Sequence, residues 1–218
     1  MKTIHDAAAT GNVEALRREL ERGVSPDTPG EYGTTPLYLA AVNKRTDCVG
    51  LLLRAGADPN SYTEPRSTIV TLHQAAYEGS RPSREIVRML LEAGAAVNSR
   101  STTGWLAIDY AYIARREAIY PLLLCAGSEL PGDRTGRPLS KDPYFSRIVR
   151  AGSFKNYRRA HREALTRTLS PKFALPPELV RTVVEFYLHA GFYPFTPAKV
   201  PTAPTVTRRT RSGRAYGH

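Results

Sequence analysis

The feature that most restricts the fold of this chain is a short phrase that returns four times. Ile4-His5-Asp6-Ala7-Ala8, Leu37-Tyr38-Leu39-Ala40-Ala41, Leu72-His73-Gln74-Ala75-Ala76 and Ile108-Asp109-Tyr110-Ala111 share one pattern, and their first residues lie 33, 35 and 36 apart. A leucine-rich run follows each phrase, at Leu20, Leu51-Leu52-Leu53, Met89-Leu90-Leu91 and Leu122-Leu123-Leu124. A glycine then closes each unit, at Gly23, Gly56, Gly94 and Gly127, with spacings of 33, 38 and 33. A period of roughly 20–50 residues marks a stacked array rather than a single closed core. A unit this short cannot bury its own apolar face, so the units must cover one another.

The chemistry within a unit predicts two helices and a projecting turn. Thr35-Pro36 opens a helix, because proline in the first turn loses no needed hydrogen bond. Small Ala40 and Ala41 permit close approach of a neighbouring helix, and Val49, Leu51, Leu52 and Leu53 supply the bulk of a second helix. Gly56 suits the left-handed residue that ends a helix. Asp58-Pro59-Asn60 then starts a turn.

Four such units in register resemble the ankyrin repeat, whose period is about 33 and whose signature is T-P-L-H-x-A. The resemblance covers residues 1–130 and implies an all-α ankyrin-repeat solenoid of four to five helix-turn-helix units, followed by a helical C-terminal appendage and a disordered tail. The units are expected at 1–31, 32–66, 67–103 and 104–135. A degenerate cap is expected at 136–152, where Arg137-Pro138-Leu139 echoes a repeat opening and Ile148-Val149-Arg150-Ala151-Gly152 echoes a repeat end. Departures from the family pattern are plain. Val70-Thr71 stands where Thr-Pro is expected, Arg81-Pro82-Ser83-Arg84 reads as an inserted loop between the helices of the third unit, and Asp109 replaces the motif histidine.

The resemblance also implies a function, protein–protein interaction through finger tips and inner helices. By alignment that surface takes in Glu31, Tyr32 and Thr34, then Asn43, Lys44 and Arg45, then Arg66, Thr68, Tyr77, Glu78 and Ser80. In the fourth unit it takes in Thr103, Trp105, Tyr112, Arg115 and Arg116. Tyr, Trp and Arg are the types that dominate interface energetics. Tyr77 and Tyr112 are equally compatible with packing between helices.

Charge divides the chain. Residues 1–130 carry a net −1 and residues 131–218 a net +12. Within 153–195, residues 154–169 read as an amphipathic helix with Phe154, Tyr157, His161, Ala164, Leu165 and Thr168 on one face and Lys155, Arg158, Arg159 and Arg162 on another. Leu175-Pro176, Glu178-Leu179, Val183-Val184 and Tyr187-Leu188 then resemble the opening helix of an F-box and the Leu-Pro-rich half of a SOCS box. That resemblance implies a second reading, a substrate adaptor of a cullin-type ubiquitin ligase that docks ligase components through 170–195, with Leu175, Pro176, Leu179 and Val183 as docking residues. Residues 196–218 have no apolar period and are expected to be a disordered basic tail. The basic end leaves a third reading open, attraction of a polyanion, but no motif for reading nucleic-acid sequence is present.

No catalytic role is expected, and no cofactor or metal. His5, His73, His161, His189 and His218 lie far apart, without Cys or His neighbours at metal-ligand spacing. His5 and His73 hold the position at which the repeat family uses histidine to hydrogen-bond turn backbone. Cys48 and Cys125 sit in apolar helical patterns and are expected to be buried free thiols. The N-terminus turns polar too early for a signal peptide, and the apolar run around Leu122–Ala126 is far below the roughly 20 residues of a membrane span. The expectation is a monomer in the cytoplasm, with the nucleus as an alternative.

Overall fold

The computed structural model describes residues 3–64, 67–132 and 142–173, together with Leu179. Among the described residues ten α-helices run in chain order: α1 (Ile4–Thr10), α2 (Val13–Glu21), α3 (Pro36–Val42), α4 (Thr46–Arg54), α5 (Thr71–Glu78), α6 (Arg81–Glu92), α7 (Ala107–Ile113), α8 (Tyr120–Cys125), α9 (Pro143–Arg150) and α10 (Phe154–Phe173). Strands β1 (Tyr62–Glu64) and β2 (Ser67–Val70) pair antiparallel in the finger before α5. This short ribbon is an addition to the helical expectation.

The helices form two layers. The inner helices α1, α3, α5 and α7 pack each on the next, while α2, α4 and α6 stack behind them. Alanines explain the close inner layer: Ala7, Ala8, Ala40, Ala41, Ala75, Ala76 and Ala111 are all buried where the helices meet. Leu16, Leu37, Leu52, Leu72, Ile86, Leu90, Ile108 and Leu123 are fully buried and fill the space between the layers and between units. Each such side chain contributes about 1.5–3 kcal/mol on leaving water.

Thr35 caps α3 as its sequence suggests, its Oγ1 accepting from the Tyr38 N–H at 3.2 Å, with Pro36 in the first turn. The third unit lacks that cap. There His73 substitutes, its Nδ1 accepting from the Val70 N–H at 3.2 Å. The supposed inserted loop in the same unit is not a loop. Arg81–Arg84 form the first turn of α6, because Ser80 caps the helix by accepting from Ser83 N–H and Pro82 fits the first turn without loss.

Hydrogen bonds from the motif position join three inner helices, α1, α5 and α7, to the turn that follows the unit. His5 Nε2 meets the Thr28 carbonyl at 2.8 Å, and His73 Nε2 meets the Ser99 carbonyl at 2.9 Å. Since Nδ1 of His73 accepts, Nε2 must carry the proton and donate. Asp109 preserves this bridge with reversed polarity. Its Oδ2 accepts from Leu106 N–H at 2.8 Å and its Oδ1 from Gly132 N–H at 3.0 Å. Burial pushes the Asp109 carboxyl up, and the two N–H donors oppose that rise.

A second ladder crosses units directly and was not anticipated from the sequence. Asn60 accepts from Ala96 N–H at 2.7 Å and donates to the Gly94 carbonyl at 3.3 Å. Asn98 repeats the arrangement one unit later, accepting from Glu129 N–H at 2.9 Å and donating to the Gly127 carbonyl at 3.1 Å. Asp27 holds the equivalent place in the first unit but has only acceptors, and it takes the Asp58 N–H. The carboxamide joins the turn of one unit to the helix end of the next.

The stack ends in an aromatic layer. Tyr144, Phe145 and Ile148 of α9 are buried, and Phe145 lies 5.8 Å from the ring of Tyr112 and 5.1 Å from that of Tyr120. Asp142 caps α9 by accepting from Tyr144 and Phe145 N–H groups. Gly152, at φ +78°, separates α9 from the twenty-residue α10, so a long helix follows this glycine rather than a finger. Tyr157 and Phe154 of α10 pack on the same layer, and His161 stacks on Tyr157 at 5.7 Å. The basic face read along α10 divides: Lys155 and Arg159 are exposed, whereas Arg158 and Arg162 are half-buried. Cys48 is buried as expected, but Cys125 is exposed, with Arg158 Nη1 at 3.1 Å from its Sγ. Its place at the last residue of α8 turns it away from the layer that Leu123 and Leu124 cover.

Two measurements test this account. Asn98→Ala removes both cross-unit hydrogen bonds of one rung and is expected to lower unfolding stability by about 1 kcal/mol in urea titrations, because the rung is solvent-accessible. Burial holds the His73 imidazole below its ordinary value, with its hydrogen bond to Ser99 and the nearby Asp109 charge opposing. Its neutral form is therefore favoured in the fold. The stability it supports is fully present above the unfolded pKa and is lost as pH falls through the lower folded value. His161 shifts the same way through burial and Arg147. The urea midpoint is expected to fall from pH 7 to pH 5, and His73→Gln to make that fall shallower. An unchanged slope would contradict the lowering of the His73 pKa by burial.

Candidate functional site

The expected surface residues gather in two places, one at each end of the inner helices. At the N-terminal ends lie the fingers. Tyr32 is 78% exposed and holds a left-handed backbone at φ +56°, inside a tight turn from Glu31 to Gly33. Such a φ is unusual for a residue with a β-carbon and costs roughly 1–2 kcal/mol. Thr34 Oγ1 donates to the Glu31 carbonyl at 2.8 Å and steadies the turn.

Trp105 stands at the place of Thr34 in the finger before α7. Its backbone exchanges hydrogen bonds with Ser101, whose Oγ also meets Thr103 Oγ1 at 2.8 Å. Its ring is half-buried against Tyr110 at 5.6 Å, and Tyr110 lies 5.3 Å from His73. Trp105 is thus part tip and part packing. Arg100 ties this finger down by donating to the Gly104 carbonyl and to Glu129.

At the C-terminal ends the chain must turn sharply into the outer helix. The residue that does so is left-handed in each of the first four units: Gly11, Lys44 at φ +60°, Gly79 and Arg115 at φ +55°. The residue after each of the two basic ones is an arginine that reaches back one unit. Arg45 Nε donates to the Ala9 carbonyl at 3.2 Å, and Arg116 Nε donates to the Tyr77 carbonyl at 3.0 Å. A cation at a helix C-terminus also suits the helix dipole.

The arginine stems occupy the space over the glycines. A β-carbon on Gly11 would lie 2.8 Å from Arg45 Cδ, and one on Gly79 would meet the Arg116 side chain still more closely. Glycine at 79 therefore serves two needs, a left-handed φ and room for Arg116. Lys44 Nζ completes the edge with an ion pair to Glu78 at 3.0 Å, and Asn43 Nδ2 donates to its own helix at Leu39.

So Asn43, Lys44, Arg45, Tyr77, Glu78, Arg115 and Arg116 do come together, but several are already engaged within the fold. Tyr112 leaves the surface set: its ring packs on Tyr120 and Phe145 because α9 covers that side of α7. Ser80 is the cap of α6. Arg66, Leu175, Pro176 and Val183, the opening Arg137-Pro138-Leu139 and the tail 196–218 lie outside the described residues. So does the side chain of Thr68. Leu179 is helical and 55% exposed.

Sequence reasoning missed Ile113, which is 51% exposed on α7. It is the counterpart of Tyr77, 45% exposed on α5, and of Val42 on α3. Each stands two residues before its left-handed residue. The signal was available in the alignment, but an isoleucine in an apolar helix reads as core until its neighbours are known. Among the described residues no group of acidic, histidine or cysteine side chains is arranged to hold a metal ion. Among them no helix is long and apolar enough to cross a membrane.

Residues 1–63 match the family model described as ankyrin repeats in three copies, and residues 71–102 match that described as an ankyrin repeat. Ankyrin repeat and SOCS box protein 5 of Mus musculus is 36% identical over 49% of this chain and 31% of that protein. Cyclin-dependent kinase inhibitor 2A of Homo sapiens is 35% identical over 48% of this chain and 64% of that protein. Cyclin-dependent kinase 4 inhibitor B of Bos taurus is 35% identical over 49% of this chain and 77% of that protein. The chain thus spans about a third of the SOCS box relative and more of the two inhibitors.

The arginine-over-glycine contact makes a prediction of its own. Gly79→Ala is expected to cost roughly 1–2 kcal/mol for its φ alone, with a further cost from displacing Arg116. In an Arg116→Ala background the Gly79→Ala cost should shrink, giving a coupling of about 0.5–1 kcal/mol in a double-mutant cycle of urea titrations. Additive effects would show that the two residues are independent.

Proposed function

This chain belongs to the ankyrin-repeat proteins, whose repeats serve protein–protein interaction, and on that premise we propose that it is a binding module that holds a partner protein on its finger tips and inner helices. The observation that carries the choice of face is the exposure of large side chains on it. Tyr32 at a finger tip, and Tyr77 and Ile113 on successive inner helices, are more exposed than aromatic or branched side chains need be. Exposed large apolar groups at the finger and along the helix ends are what an interaction surface presents. The residues carried into the proposal are Tyr32, Thr34, Lys44, Tyr77, Glu78, Trp105 and Arg115, with Asn43, Arg45 and Arg116 shaping the edge from within, and Ile113 added. Binding rather than catalysis is the proposed role. We take the solenoid to run over residues 1–152, acting as a monomer in the cytoplasm, where free thiols such as Cys48 persist.

The second reading is an adaptor of a cullin-type ubiquitin ligase, in which the repeats choose the substrate and 170–195 docks ligase components. What favours it is the SOCS box in the name of the mouse relative, together with the Leu175-Pro176 and Val183-Val184 phrases.

Both readings are tested by cross-linking and mass spectrometry of proteins captured by the full chain. Tyr32→Ala with Tyr77→Ala should reduce recovery of bound partners about tenfold or more, as loss of two interface anchors does. Glu85→Ala with Arg88→Ala, an exposed pair on α6, should leave recovery unchanged. Equal recovery from all three proteins would place binding elsewhere. Deletion of 170–195 should remove cullin components only if the adaptor reading holds.

A further inference from the structure

Val42, Tyr77 and Ile113 form a row, one apolar residue from each of three consecutive inner helices, at matching places in α3, α5 and α7. Cations line the row. Arg45 and Arg116 reach back across the unit boundary to the Ala9 and Tyr77 carbonyls, so a guanidinium lies beside the backbone of the row itself. Lys44 and Arg115 follow the row two residues on, and all four basic residues are exposed. Acidic side chains stand among them, Glu78 half-buried and paired to Lys44, and Asp47 and Glu117 exposed just after Arg45 and Arg116, while exposed Arg81 at the start of α6 adds a fifth cation. The row is therefore apolar with a basic border, although the repeat region as a whole is close to neutral.

The spacing of the row selects the shape of an occupant. Packed helices lie roughly 8–10 Å apart, so successive row positions recur at about that interval. In a β-strand three residues span about 10 Å, but residues three apart point to opposite faces. A strand cannot offer one face to all three positions. In an α-helix seven residues span about 10.5 Å and return to the same face.

We propose that this face takes an acidic amphipathic helix of a partner protein, laid across the inner helices, with apolar side chains at i, i+7 and i+14 on Val42, Tyr77 and Ile113 and carboxylates facing Arg45, Arg115 and Arg116. The inference rests on the inner-helix face being the binding face and adds the chemistry of what binds there. Tight charge complementarity sets register and orientation, and the apolar row supplies the contact that excludes water.

The test uses the full chain and a designed, helix-stapled 21-residue peptide with Leu at positions 3, 10 and 17 and Glu flanking each. A scrambled peptide of the same composition and a charge-reversed peptide with Lys for Glu serve as comparisons, and fluorescence anisotropy reads the affinity. The designed peptide is expected to bind at least about tenfold more tightly than the scramble. Arg115→Glu should weaken the acidic peptide about fivefold or more and strengthen the charge-reversed one, with the effect shrinking at 0.5 M salt. Tyr77→Ser with Ile113→Ser should weaken it about tenfold, and Glu85→Ala with Arg88→Ala, on α6, should leave it within about twofold. Circular dichroism melts check that each variant is folded, and Arg115→Glu carries the test if the double serine variant is not.

Equal binding of scramble and design would overturn the proposal and leave charge attraction alone. So would a response to the Glu85 and Arg88 variant equal to that of the row variants, or tighter binding of a DNA duplex than of the peptide. If the peptide fails while natural partners still require Tyr77, the face binds proteins but not an acidic helix. If neither depends on Tyr77, the binding-face reading itself fails.

Discussion

Every helix pair in this protein leaves one apolar side without cover, and the structure follows from that deficit. Leu16, Leu37, Leu72 and Ile108 are fully buried where helix pairs stack, and Phe145 where α9 closes on Tyr112 and Tyr120. The inner layer is close because its contact residues are alanines. Stacking by apolar area alone sets no register along the axis. The His5 and His73 bridges, and the Asn60 and Asn98 rungs, supply it, since a hydrogen bond fixes distance and direction where hydrophobic contact does not. At the last repeat the same need for cover is met by Tyr144, Phe145 and Tyr157, aromatic side chains large enough to close the exposed end.

The ends of the inner helices show how surface and scaffold share residues. A left-handed residue is required there, and the chain uses glycine twice and a basic residue twice in the first four units. The choice is coupled across units, because the arginine beside each basic residue lies over the preceding glycine. Arg45 and Arg116 therefore cannot be read simply as partner contacts. They tie neighbouring helices together and, in doing so, present cations beside Val42, Tyr77 and Ile113. A face with fixed charges and few moving parts loses little freedom when a partner docks.

Much of this was legible in the sequence. The four phrases, the closing glycines and Thr35-Pro36 announced the helix pairs, and His5 and His73 announced the bridges to the turns. Three kinds of information were not legible. Arg81–Arg84 looked like an insertion because Pro82 between two basic residues suggests a loop, yet Ser80 as a cap makes the same residues a first helical turn. Asp109 looked like the loss of a motif residue, yet a carboxylate accepting from the Gly132 N–H bridges as well as a histidine that donates to a carbonyl. Cys125 and Tyr112 sit in equally apolar patterns and end on opposite sides of the surface, one exposed and one under α9.

What the sequence determined by itself was the repeating helix pair, its spacing and most of its helix ends. These depend on local chemistry: capping hydroxyls, proline in a first turn, small residues on one face, glycine at a left-handed φ. The tertiary structure alone decided which side chains of that unit are free. Tyr77, Tyr112 and Ile113 are alike in sequence terms, two tyrosines and an isoleucine near the ends of short helices. Tyr112 is covered because α9 arrives from more than thirty residues away, while Tyr77 and Ile113 face outward because no described element lies over them. Exposure belongs to the neighbours of a residue and not to the residue, so no local pattern can state it.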